Sequence, residues 1–211
     1  MSKKIIITGG LGYIGTELCK LYSGVSWHHK IIIIDNRFIS ERVSQIRNWN
    51  MEFVQGDILD KDLVKKYFAD ADVVHHLAGI TDVPRTKSES LLAQDKKIKE
   101  VGEIGTQNIL DVISDKCKII FPSTHVVYEG IAEVKTDIKE DEKTKPVLSY
   151  SSSKAVNENQ LKKSGKNYII LRLGSVYGYS TDSMRIDIMP NLFSKIASQN
   201  GTLKLFAGGR Q

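Results

Sequence analysis

Thr8-Gly9-Gly10-Leu11-Gly12-Tyr13-Ile14-Gly15 decides the reading of this chain. The stretch follows the apolar run Ile5-Ile6-Ile7 and opens a segment, Ile14 to Tyr22, with helical period. Between strand and helix, the first glycine allows a tight turn. The second lets backbone approach a pyrophosphate, and the third lets helix and strand pack closely. Backbone N–H groups at the helix start, helped by the helix dipole, then hold the anion. A second apolar run, Ile31 to Ile34, ends at Asp35, twenty residues past Gly15. An acid there binds the ribose hydroxyls of adenosine and repels a 2′-phosphate. The expected cofactor is therefore NAD rather than NADP, although Arg37 is the kind of group that accepts a 2′-phosphate.

Outward from this loop, short apolar runs alternate with longer helical segments. The runs continue with Met51 to Gln55, Asp72 to Leu77, Lys118 to Phe121 and Tyr168 to Arg172. They are continuous rather than alternating, as strands buried on both faces are, which implies a parallel sheet. Residues 61–68, 88–113 and 149–163 read as helices between them. The expected class is α/β, a doubly wound parallel sheet of Rossmann type. The polar region 129–146 reads as a surface excursion, and 174–186 as a loop. A helix is expected over 187–199 and a short strand over 203–206. The expected organisation is a nucleotide-binding domain over 1–173 and the start of a substrate-binding region over 174–211, incomplete at its end.

Composition narrows the function classes. The chain has 211 residues, 41% of them hydrophobic and 26% charged, as in soluble globular proteins. A chain of this length can bury a core without disulfides. Its two cysteines, Cys19 and Cys117, form no CxxC pair and read as buried reduced thiols. The formal charge is +5, but the lysines are interleaved with Asp and Glu, which argues against a nucleic-acid face. No apolar stretch has the length of a membrane span or of a signal peptide's core, so the expected location is cytoplasmic. His75 and His76 are adjacent on a strand and point to opposite faces, so no metal site is expected.

The chemistry-bearing residues lie further on. Tyr150 and Lys154 are one helical turn apart, and an ammonium beside a phenol favours the phenolate, which can move a proton on a substrate hydroxyl. Thr124 ends the fifth apolar run, at the carboxyl edge where doubly wound folds place ligands. Asp57, after Gly56, is placed to bond the adenine amino group. Leu77, Ala78 and Gly79 end the fourth run, where small residues let backbone pass along a cofactor.

At this point the chain resembles the extended short-chain dehydrogenases/reductases, within the nucleotide-sugar epimerase/dehydratase family. The family's TGxxGxxG matches Thr8 to Gly15, its second-strand acid Asp35, and its GD Gly56-Asp57. HLA matches His76 to Ala78. S-[ST]-x-x-VY matches Ser123, Thr124, Val127 and Tyr128, and YxxxK matches Tyr150 and Lys154. The later R-x-x-x-VYG matches Arg172 and Val176-Tyr177-Gly178.

The resemblance implies Tyr150 as the catalytic base, with Lys154 holding the nicotinamide ribose and tuning Tyr150. Thr124 orients the sugar oxygen. The implied cofactor contacts are Gly9, Gly12, Tyr13, Ile14 and Gly15, then Asp35, Asn36 and Arg37, Asp57 and Ile58, Leu77, Ala78 and Gly79, and Tyr150 and Lys154. The implied reaction is transient oxidation at the sugar C4 by NAD, with return of the hydride to the other face. The substrate is a nucleotide-sugar, with UDP-sugars favoured. A homodimer through the helices at 88–113 and 149–163 is also implied.

Departures from the pattern carry information. Dehydratases of the family follow the hydroxyl residue with Asp-Glu, where this chain has His125-Val126, which favours an epimerase or a simple oxidoreductase over a dehydratase. The family asparagine three residues before Gly105-Thr106 is Gly102. The asparagine of RxxNVYG is Ser175, and Pro122 replaces a common serine. Family chains continue past the segment matched by Leu205 to Gly209, so cofactor binding is expected to survive better than turnover. The rival expectations are an NAD-dependent sugar or alcohol reductase and a non-catalytic NAD-binding protein.

Overall fold

The computed structural model describes residues 2–81, 91–180 and 184–205. They fall into two compact units, 1–174 and 175–211. In the first unit, β1 (Lys4–Thr8), β2 (Lys30–Asp35), β3 (Glu52–Gln55), β4 (Val73–His76), β5 (Lys118–Thr124) and β6 (Asn167–Leu173) form one parallel sheet. Its order is β3-β2-β1-β4-β5-β6, so the winding reverses between β1 and β4. In doubly wound sheets, ligands lie in the crevice that this reversal opens at the carboxyl ends of the strands.

The unbroken isoleucine run has a simple cause. Ile32 and Ile34 face a core with Ile6, Val74, Ile119 and Phe121. Helices α3 (Lys61–Phe68), α5 (Gly105–Val112) and α6 (Ser149–Lys163) cover that face through Phe68, Ile109 and Leu161. Ile31 and Ile33 face the other core with Ile5 and Ile7. There α1 (Tyr13–Ser23) supplies Cys19, and α2 (Ser40–Asn48) supplies Val43 and Ile46. Both faces of β2 are dry, so polar alternation has no place in it. Asp60 caps α3 by accepting the N–H groups of Asp62 and Leu63.

Two expectations are corrected, and one helix is new. The helix over 88–113 is described from Leu92 onward, and residues 88–90 lie outside the described residues. It is α4 (Leu92–Lys99), a π turn (Glu100–Ile104) and α5. The π turn is held from α6. Asn157 Nδ2 donates to the Gly102 carbonyl at 3.0 Å, and Gln160 Nε2 donates to that of Glu103 at 3.0 Å. The strand expected over 203–206 is not formed at 203–205, and Phe206 lies outside the described residues. Leu203 and Leu205 are exposed there, so no burial rewards an extended pairing. Helix α2 has no counterpart among the expected elements. In the second unit, α7 (Met189–Ser198) lies within the helix expected over 187–199. Among the described residues no helix is long and apolar enough to cross a membrane.

Candidate active site

Every strand that carries a candidate residue delivers it to the same sheet edge. Thr8 pairs with Ile34 and His76, Asp35 with Gln55, and Thr124 with Leu173, all at carboxyl ends. A shallow hollow at the opposite end, between Lys30, Arg47 and Glu52, holds none of them.

The glycine loop is closely fitted. Gly9 has φ +66°, and a Cβ there would stand 2.8 Å from the Ala78 nitrogen. A Cβ on Gly15 would meet the Gly9 carbonyl and lie 2.7 Å from the Gly10 Cα. Loop, helix and β4 end are thus in backbone contact, which only glycine permits. Gly12 is the N-cap of α1, with no side-chain cap and no acid in the first turn, an end suited to an anion. A Cβ on Gly10 would run into the Ile33 side chain, and the sequence spacing alone does not reveal this use.

Asp35 is buried and serves the loop directly. Its Oδ2 accepts from the Leu11 N–H at 3.0 Å, and its Oδ1 from the Arg37 N–H at 3.0 Å and Arg37 Nε at 3.3 Å. Asn36 Nδ2 donates to Asp57 Oδ2 at 3.4 Å, so Asp35, Asn36, Arg37 and Asp57 form one polar group. Ile58 is different, because its side chain is in the core and only its carbonyl is engaged, by Asn108 Nδ2 at 3.1 Å.

The two histidines diverge as their adjacency requires. His75 Nε2 lies 2.8 Å from the Tyr22 hydroxyl, beneath α1. His76 Nδ1 lies 3.0 Å from Thr8 Oγ1 and its Nε2 lies 3.0 Å from Thr106 Oγ1. The Ala78 N–H donates to Thr8 Oγ1 at 3.0 Å. The histidine pKa is pushed down to about 3, first by burial and then by the Lys154 charge, so the ring is neutral and structural. No group of three His, Cys, Asp or Glu residues among the described residues could hold a metal ion.

A narrow pocket beside Leu77 and Ala78 is lined by Gly102, Thr106, Phe121, Tyr150, Ser153 and Lys154. Lys154 donates to the Pro122 carbonyl at 2.8 Å, and its Nζ lies 4.4 Å from the Phe121 ring centre and 5.8 Å from that of Tyr150. Burial pulls its ammonium pKa down to about 8. Thr124 caps the short 3₁₀ turn His125–Tyr128, with Oγ1 accepting the Val126 N–H at 3.3 Å. Behind the pocket, Glu158 takes a bidentate pair from Arg172, at 2.9 Å and 2.6 Å, and the Ser123 hydroxyl at 2.6 Å. Neither Glu158 nor Glu129, which meets the start of α6, stands out in the sequence. Apart from Lys162, one helical turn from Glu158, their partners are more than ten residues away, and no local pattern marks such contacts.

A Cβ at Gly102 would run into Ser153 Oγ, so an asparagine in its place would require the Ser153 hydroxyl to turn away. His125 Nδ1 lies 3.1 Å from the Leu173 carbonyl, an arrangement that ties the 3₁₀ turn to β6.

Comparison with known proteins matches residues 5–211 to the family described as "NAD dependent epimerase/dehydratase family". A putative UDP-glucose 4-epimerase of Methanocaldococcus jannaschii is 30% identical over 215 residues, covering 98% of this chain and 67% of that protein. A dTDP-D-glucose 4,6-dehydratase of Dictyostelium discoideum is 30% identical over 197 residues, covering 83% and 44%. Among solved structures, a UDP-glucuronic acid 4-epimerase from Bacillus cereus, in complex with UDP-glucuronic acid and NAD, matches with a TM-score of 0.77 and 27% identity. That match covers 99% of this chain and 67% of the other. The chain spans about half to two thirds of the proteins it matches.

Proposed function

The chain belongs to the NAD-dependent epimerase/dehydratase family, and from that premise we propose that it binds NAD and carries the chemistry of a nucleotide-sugar 4-epimerase. The observation that carries this reading is the shared edge. Thr124, Tyr150 and Lys154 stand on β5 and α6, at the carboxyl end of the sheet that also bears the glycine loop and Asp35.

The residues fit the cofactor by their chemistry. Glycine backbone and the start of α1, whose N-cap Gly12 brings no side chain, suit a pyrophosphate, Asp35 suits ribose hydroxyls, and the Leu77 to Gly79 segment borders the pocket. NAD supplies the hydride acceptor and donor. Tyr150 takes the proton of the sugar 4-hydroxyl and later returns it. The Thr124 hydroxyl bonds the same oxygen and holds it in line. Lys154 favours the phenolate of Tyr150 by its charge and binds the nicotinamide ribose. His125 and Val126 bring no carboxylate to the positions where a dehydratase has acid and base. A UDP-sugar is the favoured substrate. A homodimer through the helical stretches over 88–113 and 149–163 is in keeping with the exposed Leu92 on α4, Ile104 on the π turn and Val156 on α6.

Calorimetric titration with NAD, followed by a panel of UDP-sugars assayed for inversion at C4, tests the reading. Tyr150→Phe is expected to lower turnover by about 100-fold or more. Net accumulation of NADH would indicate a dehydrogenase instead. NAD binding without any turnover would indicate a binding protein, a reading that Gly102 and Ser175 favour.

A further inference from the structure

Helix α6 starts without a cap of its own. Its N-cap residue is Leu148, which has no side-chain oxygen to offer. In a capping box the third helical residue reaches back to the N-cap N–H. Here that residue is Ser151, whose side chain is too short for the task. A carboxylate from another part of the chain completes the arrangement. Glu129 Oε1 accepts the Leu148 N–H at 2.7 Å, the Val147 N–H at 2.8 Å and the Ser151 hydroxyl. Burial pushes the Glu129 carboxyl up, but these hydrogen bonds outweigh it and hold the group below its ordinary range.

The origin of Glu129 gives this cap its meaning. It directly follows the 3₁₀ turn His125–Tyr128, which Thr124 caps at the other end. Two backbone bonds reinforce the tie. The Lys145 N–H donates to the Val127 carbonyl at 2.8 Å, and the Gly130 N–H donates to that of Lys145 at 2.9 Å. Thr124 and the entry to α6 are thus joined by a six-residue segment and a carboxylate, although Tyr150 is far from Thr124 in the chain. Tyr150 is the second residue of α6, in the turn where N–H groups lack intrahelical partners and helices fray. A displacement of about 1 Å at such a group is enough to cost catalysis heavily.

We propose that Glu129 is a positioning residue that holds Tyr150 in register with Thr124. Its importance for turnover rests on the functional reading above, but its test does not. Glu129→Ala and Glu129→Gln are compared with the wild-type 211-residue chain, without cofactor, by amide hydrogen exchange and by NMR of ¹³C-labelled tyrosine rings. Exchange at residues 147–152 becomes about tenfold faster in Glu129→Ala. It stays near wild type in Glu129→Gln, whose amide oxygen still accepts. The Tyr150 signal, identified by its loss in Tyr150→Phe, shifts in Glu129→Ala and returns in Glu129→Gln, while the Tyr22 signal is unmoved. If Glu129→Ala fails to fold, Glu129→Asp, one methylene shorter, is expected to move the same signal. Unchanged exchange overturns the proposal. So does faster exchange with Tyr150 unmoved, which would make Glu129 a helix cap and nothing more, and so does Glu129→Gln behaving as Glu129→Ala. Failure of the wild-type chain to bind NAD would defeat the functional reading instead and leave this test readable.

Discussion

Arg172→Met removes the cation from the ion pair behind the pocket and strands a carboxylate. Glu158 is 2% exposed and the Arg172 side chain 13%. Without Arg172, Glu158 keeps only the Ser123 hydroxyl and Lys162, whose Nζ is 3.6 Å away on a side chain that is 48% exposed. Breaking a buried pair from one side costs about 3–5 kcal/mol. Two unit charges about 4 Å apart at an effective dielectric near 20 interact by about 4 kcal/mol, which agrees. Arg172 also donates to the Glu140 carbonyl at 2.8 Å and to the Tyr128 hydroxyl, so the excursion after β5 loosens as well. For a domain of this size the loss corresponds to roughly 6–20 °C in Tm. Urea unfolding and calorimetry at pH 7 measure it. The double variant Arg172→Met/Glu158→Leu leaves no stranded charge at this site and is expected to recover most of the loss, less the unpaired Ser123 hydroxyl. Burial pushes the Glu158 carboxyl up, and the Arg172 and Ser123 hydrogen bonds outweigh it and hold the carboxyl low. Its contribution is therefore complete above the unfolded glutamate pKa and fades as pH falls through the folded one, so the wild-type advantage shrinks in acid. A single variant within about 1 kcal/mol of wild type, against the 3–5 expected, would refute the reasoning. A double variant no better than the single one would do the same.

Two further outcomes follow from the site. Gly15→Ala sets a methyl 2.7 Å from the Gly10 Cα in a turn with no slack, and is expected to cost about 1–3 kcal/mol and abolish NAD binding. Calorimetric titration checks it, and wild-type affinity in the variant would count against the cradle. Lys154 has its folded pKa pulled down to about 8 by burial, so between that pH and the unfolded value near 10.4 the unfolded chain binds more protons. Stability of wild type relative to Lys154→Met therefore rises with pH across that window in urea titrations. A flat difference would mean that the ammonium is not desolvated.

Local patterns recorded much of this molecule. The glycine loop, the isoleucine run and the strand-helix alternation rest on short-range rules of burial and turn geometry, and the sheet order obeys them. Helix α2 escaped because only Val43 and Ile46 of its nine residues are buried, too few to mark a period. The strand expected over 203–206 was a short apolar run, and such runs are ambiguous without a partner to pair with. The π turn had no signal of its own, since its stability comes from amides fifty-five and fifty-seven residues away. The candidate residues themselves were legible because each is tied to a strand end or a helical repeat. The groups that hold them, Glu129 and Glu158, act across chain separations that no spacing rule spans.

The π turn also has an angular consequence. An α-helix advances about 100° per residue, so residues eight apart would point about 80° away from each other. A turn that closes on the fifth residue spends one residue more than an α turn and subtracts about 100° of phase. Ile98 and Thr106, eight apart on either side of Glu100–Ile104, come back into line, and both line the pocket beside Phe121. The turn works as a phase corrector. It sets Ile98, Gly102 and Thr106 nearly in line along a single pocket, where a regular helix would fan them over about 80°.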